Sequence, residues 1–260
     1  MTYCVAIKVN DGLVFAADTR TSASVDDIRT YNKVHTFEFP GDRLFILMSA
    51  GNLATTQAVL AQIQRDLDTG DSVVNLRTVR HMYDAAEYLG VVSVRAQKHM
   101  QAETPTVAAV DFRATLILGG QIQSEAPAIY LIYPEGNCIA SSPETPYLQI
   151  GELKYGKPIL DRVIRGETSL EDASRCALVS LDSTMRSNIS VGPPLDLAIV
   201  PTNALKVSRR MRLDLDTPYY AQLREAWGRS ILSGFRNLPR FDWEQPSLQQ
   251  AAQGQQQNQQ

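Results

Sequence analysis

The chain has 260 residues, of which 44% are hydrophobic and 20% charged, with a net charge of −3, the profile of a globular protein with a core large enough to stand alone. Acidic and basic residues are mixed along it, which excludes the basic stripe of a nucleic-acid binder, and no apolar run approaches the roughly 18 residues of a membrane span. The N-terminus lacks a basic stretch followed by an apolar run, so no secretory signal is expected; Cys4, Cys138 and Cys176 are odd in number and far apart, which argues against disulfides and for a reducing cytoplasm.

The opening segment reads as a β-hairpin. Tyr3, Val5, Ile7 and Val9 alternate with other residues, Asn10-Asp11-Gly12 supplies turn chemistry, and Leu13, Phe15 and Ala17 alternate again. A three-residue loop with Gly12 left-handed sets Tyr3, Val5, Ile7 and Val9 opposite Thr19, Ala17, Phe15 and Leu13, and gathers Thr2, Cys4, Asp18 and Arg20 on the other face. After a polar connector, residues 21–30, the segments TYNKVHTFEF and DRLFILMSAG read as strands. Leu53, Val59, Leu60, Ile63 and Leu67 recur at helical spacing, and a second helix is expected from about Thr78 to Met100. TVAAVDF, ATLILGGQI, AIYLIYP and NCIASS read as strands, with Gly119-Gly120 as a turn or bulge at a strand end. KPILDRVI and SLEDASRCALVSLDSTMRS read as helices, the second N-capped by Ser169. LDLAIVP and ALKVSRRM form a closing strand pair, and TPYYAQLREAWGRSILSGF a last helix.

Strands, two helices, strands, two helices, strands is not the alternation of a parallel fold. It predicts an α+β protein, a four-layer αββα sandwich of two antiparallel sheets flanked by helices. No internal repeat or linker interrupts residues 1–244, which are expected to form one domain. Residues 245–260 are Gln-rich and low in complexity and are expected to be disordered.

Thr2 follows the start methionine. Small second residues are common, and that is the bland reading. The chemical reading begins with removal of Met1, which methionine aminopeptidases perform when the next residue is small. The exposed α-amine titrates at about pH 7.7–8.0 and sits beside its own hydroxyl, so one residue supplies nucleophile and base. In the expected register Asp18 lies diagonally across from Thr2, about 7–8 Å away. A carboxylate in the apolar strand FAAD needs a partner, and Lys33 in YNKV is the candidate; an ordinary ion pair at a strand end is the alternative. An ammonium beside Thr2 favours the alkoxide. The SAG segment ends a strand, and Gly51 there permits close approach of a substrate, with a backbone N–H to stabilise an oxyanion; a plain turn glycine is the alternative. His35, His81 and His99 form no HExxH pattern, so neither a metal nor an organic cofactor is expected. Cys4 reads as a small core residue, KVSRRMR as a solvated strand end, and Asp26-Asp27 as a solvated loop.

An N-terminal threonine, a strand, DG, a strand ending AAD-x-R, then K-V and SAG resembles the proteasome β-subunit superfamily of N-terminal nucleophile hydrolases. MTYC, DTRTSA and IGELKYGKPILDR are similar to the bacterial ancestral β-subunit (Anbu) family, over about residues 2–235. The resemblance implies that Thr2 is the catalytic threonine, Asp18 and Lys33 its acid and base, Gly51 the oxyanion donor, and Arg20 a structural arginine. Two departures stand out. Gly151 is followed by Glu152, where the proteasome has a glycine-serine pair. Ser187 and Ser190 stand where the family has an aspartate and a serine that orient the amine. Serine brings no negative charge, and Glu152 is expected to compensate in part. The implied activity is hydrolysis of a peptide or amide bond. A specialised amidohydrolase of small or isopeptide substrates, or an assembly protein with little turnover, are the alternatives. Also implied are self-association into a ring or open helical turn, and ATP-grasp and transglutaminase-like partner proteins.

Overall fold

The structure, a computed structural model, describes residues 2–22, 28–70, 73–103 and 110–244. Its compact units are Met1–Ala221 and Gln222–Gln260. The first holds two five-stranded antiparallel sheets. One runs β10-β1-β2-β11-β12 and the other β5-β6-β7-β8-β9, with β8 at Ala128–Ile132 and β9 at Cys138–Ala140, and β3 pairs with β4 (Ile28–Thr30) in a separate two-stranded ribbon. The strands that position the site are β1 (Tyr3–Val9), β2 (Gly12–Asp18), β3 (Arg20–Ser22), β5 (Val34–Phe39), β6 (Arg43–Gly51), β7 (Ala114–Ile122), β10 (Tyr147–Gly151), β11 (Leu195–Pro201) and β12 (Arg209–Leu213).

Between the sheets lies a core that includes Cys4, Ala6, Phe15, Ala17, Ile46, Met48 and Ile117. Each large apolar side chain buried there contributes about 1.5–3 kcal/mol. A second core packs Phe45, Leu47, Leu116 and Leu118 of the second sheet against α1 (Leu53–Thr69) and α2 (Met82–Glu103). On the first sheet α4 (Leu170–Ser187) covers β1, β2 and β11, with α3 (Lys157–Val163) beside it. The αββα layering expected from element order is therefore present. Ser169 caps α4 as expected, its hydroxyl accepting from Asp172 N at 3.1 Å.

The hairpin register differs from the expected one. Val9 pairs with Gly12 across a two-residue Asn10-Asp11 loop, so Cys4 faces Ala17 and Val5 faces Ala16. Both faces of β1 and β2 are buried, so alternation carries no register information and the turn decides it. Gly119-Gly120 lies inside β7 rather than at its end. A Cβ at position 119 would sit 2.5 Å from the Phe15 ring, so this glycine makes room for an aromatic from the facing sheet.

Other boundaries shift. The second helix begins at Met82, not Thr78. The closing strand begins at Arg209 rather than Ala204, because Asn203 and Leu205 have φ of 65° and 48° and turn the chain. Residues 30–33 precede β5 rather than belonging to it, and β10 was not anticipated. Of the expected strand at 106–112, residues 110–112 are irregular. Residues 106–109, Asp26-Asp27, Met1 and the 245–260 tail lie outside the described residues. The second unit holds most of α5 (Pro218–Arg236) and a 3₁₀ turn, Asp242–Glu244, beside which Phe241 and Trp243 stack with centroids 4.3 Å apart.

Candidate active site

Thr2 precedes β1, and its backbone is held by the end of β10. Glu152 N donates to Thr2 O at 2.8 Å. Gly151, at φ +88°, comes so close that a Cβ there would sit 1.8 Å from that oxygen. Only glycine permits this approach.

Asp18 ends β2 with no exposed surface. Its Oδ1 accepts from Lys33 Nζ at 2.7 Å and Tyr3 N at 3.0 Å, and its Oδ2 from Gly192 N at 3.2 Å. Burial pushes the carboxyl up, and Lys33 with the two backbone N–H groups counters this. Asp18 thus meets the backbone of Tyr3, following from the Cys4–Ala17 pairing, instead of standing diagonal to Thr2 on a shared face. Lys33 also donates to Arg20 O at 2.6 Å. Of the three ammonium donors, one has no partner among the described residues, and Lys33 lines a cavity of about 230 Å³ together with Thr2, His35, Ser49, Gly51 and Gln57.

Arg20 donates to Ile189 O at 2.7 Å, and a Cβ on Gly192 would meet its guanidinium at 2.3 Å. It clamps the loop whose Gly192 N–H reaches Asp18, a structural role. Gly51, at φ +114°, is required as glycine by the backbone just before β7, since a Cβ there would lie 2.4 Å from Arg113 O. Cys4 is buried in the inter-sheet core, where burial pushes its thiol up out of the reactive range.

Glu152 is 9% exposed. Its Oε2 accepts from Asn188 Nδ2 at 3.0 Å and its Oε1 from Lys154 N at 3.3 Å. Asn188 Oδ1 in turn accepts from Ser190 N at 3.0 Å. Ser187 is exposed at the end of α4, and neither it nor Ser190 lines the cavity. The side chain that ties this loop to Glu152 is Asn188, which sequence reasoning passed over between the two serines. His35 was also missed as a cavity residue; its placement on β5, two residues after Lys33, was the available signal. Its Nε2 is buried without a partner among the described residues, and burial, then Arg210, holds the imidazole below its usual value. Among the described residues no group of His, Cys, Asp and Glu could hold a metal ion, and no helix is long and apolar enough to cross a membrane.

An αββα sandwich with Thr2, Lys33 and Asp18 at one end of its first sheet has the architecture of the N-terminal nucleophile hydrolases. A proteasome subunit family model matches residues 2–200. The chain belongs to the proteasome subunit family, and within it to the Anbu (ancestral β-subunit) group. It is 45% identical to Anbu from Yersinia bercovieri, covering 92% of this chain and 98% of that one with a TM-score of 0.84. It is 42% identical to a structure described as the helical assembly of the Anbu complex from Pseudomonas aeruginosa, covering 95% and 99% with a TM-score of 0.85. Proteasome subunit beta 2 of Pyrobaculum aerophilum is 27% identical over 203 residues, 78% of this chain and 90% of the relative.

Proposed function

We propose that the chain is an N-terminal threonine hydrolase of amide or peptide bonds, active once Met1 is removed. The observation that carries this reading is the Lys33 ammonium, fixed by Asp18 and Arg20 O, with one donor without a partner among the described residues, lining the same cavity as Thr2. The Thr2 Oγ attacks the carbonyl carbon while its proton passes to the α-amine. Lys33 stabilises the developing alkoxide, and the Gly51 N–H receives the oxyanion. The C–N bond then breaks as the amine returns the proton to the leaving nitrogen. Water hydrolyses the Thr2 ester by the same steps and regenerates the hydroxyl. Neither a metal nor an organic cofactor enters this chemistry.

Glu152 compensates in part for the aspartate that orients the amine in the proteasome. The carboxylate is held by Asn188, and its own backbone N–H holds Thr2. The reading extends to self-association, supported by the Pseudomonas relative, which is described as a helical assembly. Phe235 and Trp243 of the second unit are 70% and 79% exposed and are suited to a contact with another copy.

Intact mass spectrometry tests the reading directly. The mature chain should lack one methionine and gain one adduct mass with a peptide epoxyketone, and Thr2→Ala should gain none. Retention of Met1, or an adduct on Thr2→Ala, overturns it.

A further inference from the structure

The two edges of the sandwich carry opposite charge. On one side the Arg210 guanidinium donates to the Thr36 hydroxyl, and Val207 N donates to Glu38 Oε1 at 3.0 Å. These bonds set β12, an edge strand of one sheet, beside β5, an edge strand of the other. On the other side β10 faces β7 and β8. There β9 ends the second sheet, four strands and about 19 Å from β5.

β12 is open on three sides. α4 covers β1, β2 and β11. Arg209, Arg210, Met211 and Arg212 are all exposed, although alternate side chains point to opposite faces. Among the described residues β12 pairs with β11 alone, so its outer row of backbone groups has no strand beside it. Arg212 is neutralised by Asp196 through bonds of 3.0 and 3.1 Å, and Asp214 and Asp216 lie beyond the end of the strand. Lys206, Arg209 and Arg210 are exposed and form no ion pair among the described residues. Cations on an edge strand discourage indiscriminate pairing, and the same charges select an acidic partner.

The β9 edge is acidic. α2 packs on β9, and near its start Asp84 and Glu87 form no ion pair among the described residues, while Glu125 is paired with His81. Glu87 hydrogen-bonds Tyr83 and raises that hydroxyl above its usual value. Burial, then Glu87, raises the Cys138 thiol on β9, which places the Glu87 charge at this edge. Tyr83 meets Tyr130 edge to face, with centroids 6.1 Å apart, and Tyr83 and Ile139 are exposed beside these carboxylates. The α2 cations Arg95 and Lys98 stand about two to three turns beyond Glu87.

We propose that the β12 edge of one copy docks on the β9 edge of a second copy, with Lys206 and Arg209 meeting Asp84 and Glu87 around an apolar contact of Met211 with Tyr83 and Ile139. Charged groups around an apolar centre are the anatomy of a specific interface. The two surfaces lie on opposite sides of the molecule, so the contact is heterologous. Repeated, it gives a ring if the rotation closes and an open helix if it does not. The proposal rests on the self-association reading and names the surfaces that carry it.

The test is sedimentation velocity of the full chain over a range of protomer concentrations. The unaltered chain should assemble, and its apparent Kd should rise as salt goes from about 0.05 to 0.5 M. Lys206→Glu with Arg209→Glu reverses one edge, and Asp84→Lys with Glu87→Lys reverses the other. Each double variant alone should raise the apparent Kd about tenfold or more, because like charges then meet. Mixed in equal amounts, the two should assemble as the unaltered chain does, since every contact again joins opposite charges. That recovery also reports that both variants are folded. Association that salt leaves unchanged or strengthens, a reversal without effect, or a mixture no better than its components overturns the edge assignment alone. A chain that stays a single protomer at every concentration overturns self-association, and the edge assignment falls with it. Epoxyketone labelling of Thr2, scored separately by intact mass, reports on the threonine reading independently of these outcomes.

Discussion

Lys33→Met keeps most of the side-chain volume but withdraws the ammonium from a carboxylate with no exposed surface. Removing one partner of a buried pair costs about 3–5 kcal/mol. The Tyr3 and Gly192 N–H groups stay on Asp18, which sets the expectation at the lower end, about 3 kcal/mol. For a domain of this size each kcal/mol is about 2–4 °C, so thermal denaturation at pH 7.5 and fixed protomer concentration should show a fall of about 6–12 °C. The pH dependence has a definite sign. Burial already raises the Asp18 carboxyl, and losing the ammonium raises it further. The folded variant then binds a proton that the unfolded chain releases, so it regains stability as pH falls toward the ordinary carboxylate range. Asp18→Asn on the same background removes the buried charge and should restore at least half of the loss. A deficit under about 1 kcal/mol, one that does not change between pH 8 and 5, or a double variant no better than the single, refutes the reasoning.

Gly151→Ala cannot keep φ +88° or the contact with Thr2 O. Strain plus the lost Glu152–Thr2 hydrogen bond should cost about 2–4 kcal/mol in urea denaturation, and epoxyketone labelling of Thr2 should slow. Asn188→Ala should slow labelling and Ser187→Ala should not, because the bridge to Glu152 runs through the amide; equal effects count against it. His35 is held below its usual value, so the unfolded chain binds more protons. The stability His35 contributes is complete above its unfolded value, near 6.5, and is lost as pH falls toward the folded one. His35→Phe should flatten the melting temperature between about pH 7 and 5.

What the sequence made legible was the local chemistry. Asp18 stood out as a carboxylate in an apolar strand, Lys33 as its partner, and α4 by its Ser169 cap and apolar spacing. The ion pair and the layering follow from such signals. The register of β1 and β2 did not, because Val5 and Ala6 are both buried and either face could be the inner one. The β1–β10 pairing joins Tyr3 to Gly151, and nothing local at either residue announces the other. Gly51 and Gly192 were equally opaque, since their constraints are the carbonyl of Arg113 and the guanidinium of Arg20, brought in from distant segments. Asn188 was hidden for the same reason, as its role appears once Glu152 lies opposite.

Asp18 receives hydrogen bonds from Tyr3, Lys33 and Gly192, groups supplied by the first strand, the segment before β5 and the loop before β11. A chain emerging from the ribosome therefore has Thr2 long before the bonds on Asp18 are complete. Until residue 192 has been made and docked, the lysine lacks a fully anchored counter-ion. The arrangement around Thr2 is therefore complete only when the fold is.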